Sequence, residues 1–168
     1  LWGKCLGVIG TGRIGLHSAR LGRAFGMEVL AYDVAPNRDA AQAVGFRYVS
    51  LEELLSASDV VTLHVVLNDS THHLLNAERL ALMKPGAIVV NTSRGGVVDT
   101  QALIAALRSG HLGGAGLDVL EDERDTYHDV SGLNVVVTPH VGWYTDGAVR
   151  RILQVTLENI AAFMRGEP

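Results

Sequence analysis

The sequence contains a single cysteine, Cys5, among its 168 residues, so it cannot form an internal disulfide. It has no block of basic residues and a formal net charge of −4, which argues against nucleic acid as the main partner. No apolar run is long enough to span a membrane as a helix. We therefore expect a cytoplasmic protein that binds neither nucleic acid nor membrane.

Apolar residues nevertheless make up 48% of the chain and charged residues 19%, which is typical of a globular domain with a substantial core. Short apolar runs alternate with helical patterns along the whole length. Strands are expected at Cys5–Ile9, Glu28–Tyr32, Val60–Leu63, Ile88–Asn91, 116–119 and 135–138, and helices at 13–25, 100–109, 150–165 and directly after Ser50. This alternation predicts one α/β domain, residues 1–168, with a doubly wound parallel sheet.

Three glycines at G-x-G-x-x-G spacing follow the first predicted strand and begin the first predicted helix: Gly10, Gly12 and Gly15. Such a turn brings helix N–H groups up to a dinucleotide pyrophosphate. Asp33 ends the next predicted strand, where a carboxylate accepts hydrogen bonds from the adenosine ribose hydroxyls. Because its charge would repel a 2′-phosphate, NAD is the expected cofactor rather than NADP.

Three later segments, 91–99, 116–123 and 138–145, begin in or at the ends of predicted strands. Ligands bind beyond the carboxyl ends of parallel strands, so Arg94, Glu123 and His140 are expected to converge there. An arginine can bind a carboxylate in a bidentate manner and polarise a neighbouring carbonyl. A histidine can transfer the proton of a hydroxyl, and a glutamate can hold the imidazole and favour its protonated form. Together these residues suit the interconversion of a 2-hydroxy acid and a 2-keto acid.

The motifs GVIGTGRIG, AFGMEVLAYD, LMKPGAIVVNTSRGGVVD and TPHVGWYT resemble the cofactor domain of the D-isomer-specific 2-hydroxyacid dehydrogenases over essentially the whole chain. The resemblance implies a Rossmann fold, bound NAD, and hydride transfer to or from a small 2-keto or 2-hydroxy acid of D configuration. It places Arg94, Glu123 and His140 at the catalytic positions. Glu123 is preferred to Glu121 because the family's glutamate lies five positions after the residue equivalent to Asp118.

The same resemblance implies a cofactor site and two partners. The implied cofactor-binding residues are Gly10, Gly12, Arg13, Ile14, Gly15, Asp33, Val65, Val66, Thr71, Thr92, Ser93, Arg94, Asp118 and His140. The partners are a substrate domain that this chain lacks and a second copy that packs along residues 148–165. The chain is therefore expected to be the cofactor half of a longer dehydrogenase and to turn over little substrate alone.

Two other functions remain open, and one kind of site is not expected. A transcriptional corepressor of the C-terminal-binding-protein type, which senses NAD(H), would have the same fold and the same three residues. An isolated nucleotide-binding fragment without turnover would also fit. No metal is expected, because the adjacent His72 and His73 would diverge by about a hundred degrees on a helix.

Overall fold

The computed structural model describes residues 1–121 and 129–167. The described residues form a seven-stranded, all-parallel sheet in the order β3-β2-β1-β4-β5-β6-β7. The strands are β1 (Cys5–Ile9), β2 (Glu28–Tyr32), β3 (Arg47–Tyr48), β4 (Val60–Leu63), β5 (Ile88–Asn91), β6 (Gly114–Leu117) and β7 (Val135–Val137). The predicted fold class is confirmed, because helices cover both faces of this sheet.

The helices among the described residues are α1 (Arg13–Ala24), α2 (Arg38–Val44), α3 (Leu51–Ala57), α4 (Ala77–Ala81), α5 (Thr100–Arg108) and α6 (Asp146–Met164). A 3-10 turn, Gly95–Val97, follows β5. Ser50 caps α3 as predicted, because its side chain accepts a hydrogen bond from the Glu53 amide. In the part of the chain that the structure describes, no helix combines the length and the hydropathy needed to cross a bilayer.

The core consists of two layers, one on each face of the sheet. Along β1, Cys5 and Ile9 pack with residues of α3 and α5, whereas Leu6 and Val8 pack with Ala19 of α1 on the other face. This alternation follows from the two-residue period of a strand, and it explains why the central strands are apolar throughout.

Two predicted elements begin earlier than expected. β6 begins at Gly114 rather than at residue 116, because Gly114 already pairs with Ile88 of β5. α6 begins at Asp146 rather than at residue 150, because the Thr145 side chain accepts a hydrogen bond from the Ala148 amide and caps the helix. The short elements β3, α2 and α4 were not predicted.

Candidate functional site

A cleft lies at the carboxyl ends of β1 and β4, where the strand order reverses and where doubly wound sheets bind their ligands. It contains a cavity of about 400 Å³ and another of about 570 Å³, which share His64, Val65 and Val66. The predicted cofactor residues that line the first are Gly10, Gly12, Asp33, Val65, Val66 and Thr71. Those that line the second are Ile14, Val65, Val66, Thr92, Ser93 and Arg94.

The glycine turn leaves space where a pyrophosphate is expected. Gly10 has a φ of +89°, and a Cβ there would lie 2.6 Å from the His64 carbonyl oxygen. A Cβ on Gly15 would collide with the Gly10 carbonyl oxygen, so α1 approaches the turn more closely than another residue allows. A Cβ on Gly12 would meet nothing within 4 Å, and no side chain of the described residues caps α1 there. The first N–H groups of α1, which begins at the exposed Arg13, are therefore available to an anion.

Asp33 is fixed at the rim of the first cavity by three hydrogen bonds. Its Oδ2 accepts from the backbone N–H of Thr11 at 2.6 Å and from the Thr11 hydroxyl at 2.9 Å, and its Oδ1 accepts from the Ala35 amide at 2.9 Å. Partial burial raises the pKa of Asp33, but these hydrogen bonds outweigh that effect and lower it below its ordinary value. The carboxylate is therefore charged at neutral pH.

Three residues of this region were not identified from the sequence. Thr11 and Tyr48 join their hydroxyls at 2.7 Å and connect the glycine turn to β3. His64 lines both cavities, and burial lowers its pKa, so its ring is neutral near pH 7. Neither the Thr11–Tyr48 contact nor the position of His64 has a signal in local sequence spacing, because both depend on which strands become neighbours.

Arg94 lies on the loop after β5, and the buried side chain of Asn91 holds that loop. The Asn91 side chain accepts hydrogen bonds from the amide and hydroxyl of Ser93, at 3.0 and 2.8 Å, and donates to the Arg94 carbonyl oxygen at 2.9 Å. The Arg94 side chain is exposed at the second cavity. The next residue, Gly95, packs directly on the backbone of Leu120 and Glu121, where a Cβ would collide.

His140 lies on the loop after β7, in a left-handed backbone conformation with a φ of +55°. Its amide donates to the carbonyl oxygens of Asp118 and Thr138, both at 3.0 Å, and its own carbonyl oxygen accepts from the Trp143 indole at 2.9 Å. The His140 side chain is exposed.

Asp118, which follows β6, holds the His140 loop in place. Its carboxylate accepts from the Thr138 hydroxyl at 2.5 Å and from the amides of Val141 and Gly142, each at 2.9 Å. The residue is only 6% exposed. Burial raises the pKa of Asp118, but these hydrogen bonds and the nearby His140 lower it below its ordinary value. Asp118 and His140 lie outside the lining of both described cavities, and their cofactor contacts stay a prediction.

One prediction concerns the segment after β6. Glu123 lies outside the described residues, so its place beside His140 stays a prediction. Glu121 is described, and its carboxylate contacts His73, with 2.6 Å between Oε1 and Nε2. The expectation that His72 and His73 diverge is wrong: they lie in the turn after β4 rather than on a helix, His73 has a φ of +48°, and their rings stack 4.0 Å apart.

Residues 1–142 match the family model described as the D-isomer specific 2-hydroxyacid dehydrogenase NAD-binding domain. The glyoxylate reductase of Thermococcus litoralis is 44% identical over 168 residues, covering 99% of this chain and 51% of the relative. The D-lactate dehydrogenase kk1H of Curvularia clavata is 43% identical over 183 residues, covering 100% of this chain and 52% of the relative. The chain thus spans about half the length of the curated relatives it matches.

Solved structures agree with this match. D-lactate dehydrogenase from Aquifex aeolicus, complexed with NAD and lactic acid, superposes with a TM-score of 0.92 at 44% identity, covering 98% of this chain and 54% of that chain. The apo-structure of D-lactate dehydrogenase from Escherichia coli gives a TM-score of 0.94 at 43% identity, covering 99% of this chain and 53% of that chain.

Proposed function

The chain belongs to the D-isomer-specific 2-hydroxyacid dehydrogenase family as an NAD-binding domain, and on this premise we propose that it is the cofactor half of a longer dehydrogenase. The proposed reaction is hydride transfer between NAD(H) and a small 2-keto or 2-hydroxy acid of D configuration. The names of the relatives, glyoxylate reductase and D-lactate dehydrogenase, favour a short acid such as glyoxylate or lactate. A substrate domain elsewhere in the longer protein would complete the site.

The observation that carries this proposal is the placement of Arg94 and His140. Arg94 follows β5 and His140 follows β7, and both strands are neighbours of β6 in the sheet. Both residues therefore lie at the carboxyl-end edge that also forms the cleft with Asp33. An exposed arginine, an exposed histidine and a dinucleotide cleft at one edge are the parts that this reaction requires.

Each residue has a distinct task in the proposed reduction. The bound cofactor supplies the hydride that the keto carbon accepts. Arg94 pairs with the substrate carboxylate and polarises the adjacent carbonyl. His140 donates its proton to the carbonyl oxygen as the hydroxyl forms, and it takes that proton back in the oxidation direction. Glu123, by the family resemblance, holds the His140 ring and favours its protonated form.

The corepressor and the fragment that only binds nucleotide receive less support than the dehydrogenase. The relatives described above carry enzyme names, which favours a dehydrogenase over a corepressor. This chain alone could behave as a nucleotide-binding fragment without turnover, but that would not describe the longer protein proposed here. The cytoplasm is the proposed compartment, because the sole cysteine, Cys5, is a free and buried thiol.

The cofactor assignment is tested by replacing Asp33. The chain should bind NADH more tightly than NADPH, because the Asp33 carboxylate accepts hydrogen bonds from the ribose and repels a 2′-phosphate. Asp33→Asn keeps the shape but removes the charge, so NADH affinity should fall about 10- to 100-fold while NADPH affinity rises or stays constant. Fluorescence titration with both cofactors measures these changes.

The matched control is Asp39→Asn, which removes the same charge from an exposed position in the first turn of α2. It should leave the ratio of the two affinities unchanged. Equal affinities of the unmodified chain for NADH and NADPH, or an equal response in both variants, would contradict the role of Asp33.

Homodimerisation through α6 is part of the proposal. This helix has 19 residues, none of them buried. Its apolar side chains include a stripe at helical spacing, Leu153, Leu157, Ile160 and Met164, each at least half exposed. An uncovered apolar stripe of this length is typical of a surface that packs against another chain, and a second copy supplies a matching stripe.

Light scattering tests this association on the chain itself. We expect a dimer that Leu157→Glu converts to a monomer, because the new charge would be buried without a partner. Gln154→Glu changes a polar position of the same helix and should leave the dimer intact. A strictly monomeric parent chain would contradict the proposal.

A further inference from the structure

A cluster of possible metal ligands lies next to the cleft but outside it. His72 and His73, in the turn after β4, meet Glu121, which follows β6. None of these three residues is among the described residues that line the two cavities. The proposed dehydrogenase function therefore gives this cluster no task.

The ligand atoms are close enough to share one ion. Glu121 Oε1 lies 2.6 Å from His73 Nε2 and 3.6 Å from His72 Nε2, and one ligand atom from each of the three residues falls within 4.8 Å of the others. Around a tetrahedral zinc ion with bonds of about 2.0–2.2 Å, ligand atoms lie about 3.3 Å apart. Small side-chain movements would bring the three atoms to that separation.

Asp99 lies near the other ring nitrogen of His73. Its Oδ2 is 4.0 Å from His73 Nδ1, which is longer than a hydrogen bond, so a small movement is needed before Asp99 can orient the ring that faces Glu121. A carboxylate that accepts from one histidine ring nitrogen commonly fixes the ring orientation, so that the other nitrogen can bind a metal. Asp99 is itself held in place, because its Oδ1 accepts a hydrogen bond from the Ala102 amide and caps α5.

The backbone already holds the histidines in this arrangement. The His73 amide donates to the Gly96 carbonyl oxygen at 2.8 Å, and Leu75 pairs with residues 97 and 99 on either side of a parallel bridge. The two imidazole rings stack with 23° between their planes. The side chains of His72, His73 and Glu121 are 55%, 35% and 32% exposed, so an ion can reach them from solvent.

We propose that His72, His73 and Glu121 bind one divalent first-row transition-metal ion, with Zn²⁺ as the best fit to two imidazoles and a carboxylate. Solvent fills the remaining position. The bound ion joins the turn after β4 to the end of β6, two segments that are 48 residues apart in sequence. Its role is structural, because no residue of the proposed reaction contributes a ligand.

The proposal is tested with Zn²⁺ on the untagged chain, by competition with a chromophoric chelator. One ion per chain should bind. His72→Ala, His73→Asn and Glu121→Gln should each weaken binding by more than the roughly 10- to 100-fold that loss of an outer-shell partner causes. Asparagine is chosen at position 73 because it tolerates a positive φ. Asp99→Asn keeps the helix cap but removes the charge, and should weaken binding about 10- to 100-fold.

The control is His17→Ala, which removes an exposed histidine of α1 and should leave the dissociation constant unchanged. Circular dichroism of each metal-free variant separates lost ligands from lost folding. The proposal is overturned if the parent chain does not compete with the chelator for Zn²⁺. It is also overturned if binding survives both histidine variants, or if His17→Ala weakens binding as much as they do.

Discussion

Replacing His140 with alanine in the longer enzyme should lower kcat for keto-acid reduction by about two to four orders of magnitude, the usual scale of acid–base catalysis. In the proposed reaction the side chain donates the proton that the carbonyl oxygen needs, and alanine has none to give. NADH affinity should fall far less than kcat, because His140 lies outside the lining of both described cavities of the cleft. Steady-state kinetics with glyoxylate and pyruvate, together with NADH titration, measure both effects.

A second variant separates lost chemistry from a disturbed loop. His140 adopts a φ of +55°, a backbone conformation that asparagine tolerates better than alanine. His140→Asn should therefore preserve the loop and still show the large loss in kcat. If His140→Asn reduces keto acids at the parent rate, another group donates the proton and the assignment fails.

Removal of the Asp118 carboxylate should lower the free energy of unfolding of the chain by roughly 3 kcal/mol. Asp118→Ala leaves three donors without their acceptor: the Thr138 hydroxyl and the amides of Val141 and Gly142. These donors lie in the loop that carries His140, so kcat in the longer enzyme should fall as well. Urea denaturation measures the loss in the free energy of unfolding. Thr138→Val, which removes only one of these hydrogen bonds, should cost about 1 kcal/mol.

The same carboxylate predicts a dependence of stability on pH. The folded-state pKa of Asp118 is lowered below its ordinary value of about 3.9, so the ionised carboxylate contributes stability above roughly pH 4. That contribution is lost as the pH falls through the folded-state pKa. Asp118→Asn should therefore give a shallower loss of stability in acid. Asp33 and Asp59 also have lowered pKa values, so part of the slope should remain. An unchanged slope in the variant would contradict the role of Asp118.

The sequence predicted the parts of the fold that long apolar runs specify. β1, β2, β4 and β5 appear at the predicted residues, because each is a short run of mostly apolar residues. The pattern did not show β3, with two residues, or α4, with five, because so few residues cannot display a period. The sequence also placed the start of β6 two residues too late, since that start depends on pairing with β5 rather than on local pattern.

The candidate site was predictable where function requires a residue type at a strand end. The glycine turn, Asp33, Arg94 and His140 all lie on such ends. The contacts that hold them in place were not predicted, because these contacts join different strands and loops of the sheet. Thr11 reaches Asp33 across 22 positions and Asp118 reaches Val141 across 23. The prediction for His72 and His73 was wrong because it assumed a helix where the chain turns.

The contact of Gly95 with the backbone of Leu120 and Glu121 has a consequence for how the proposed dehydrogenase can diversify. Main-chain atoms alone set the separation between the Arg94 loop and the end of β6. Substitutions among neighbouring side chains are therefore expected to leave that separation unchanged, so that the proposed enzyme could change the acids it accepts while the position proposed for Arg94 stays constant. The same contact makes position 95 intolerant of any side chain.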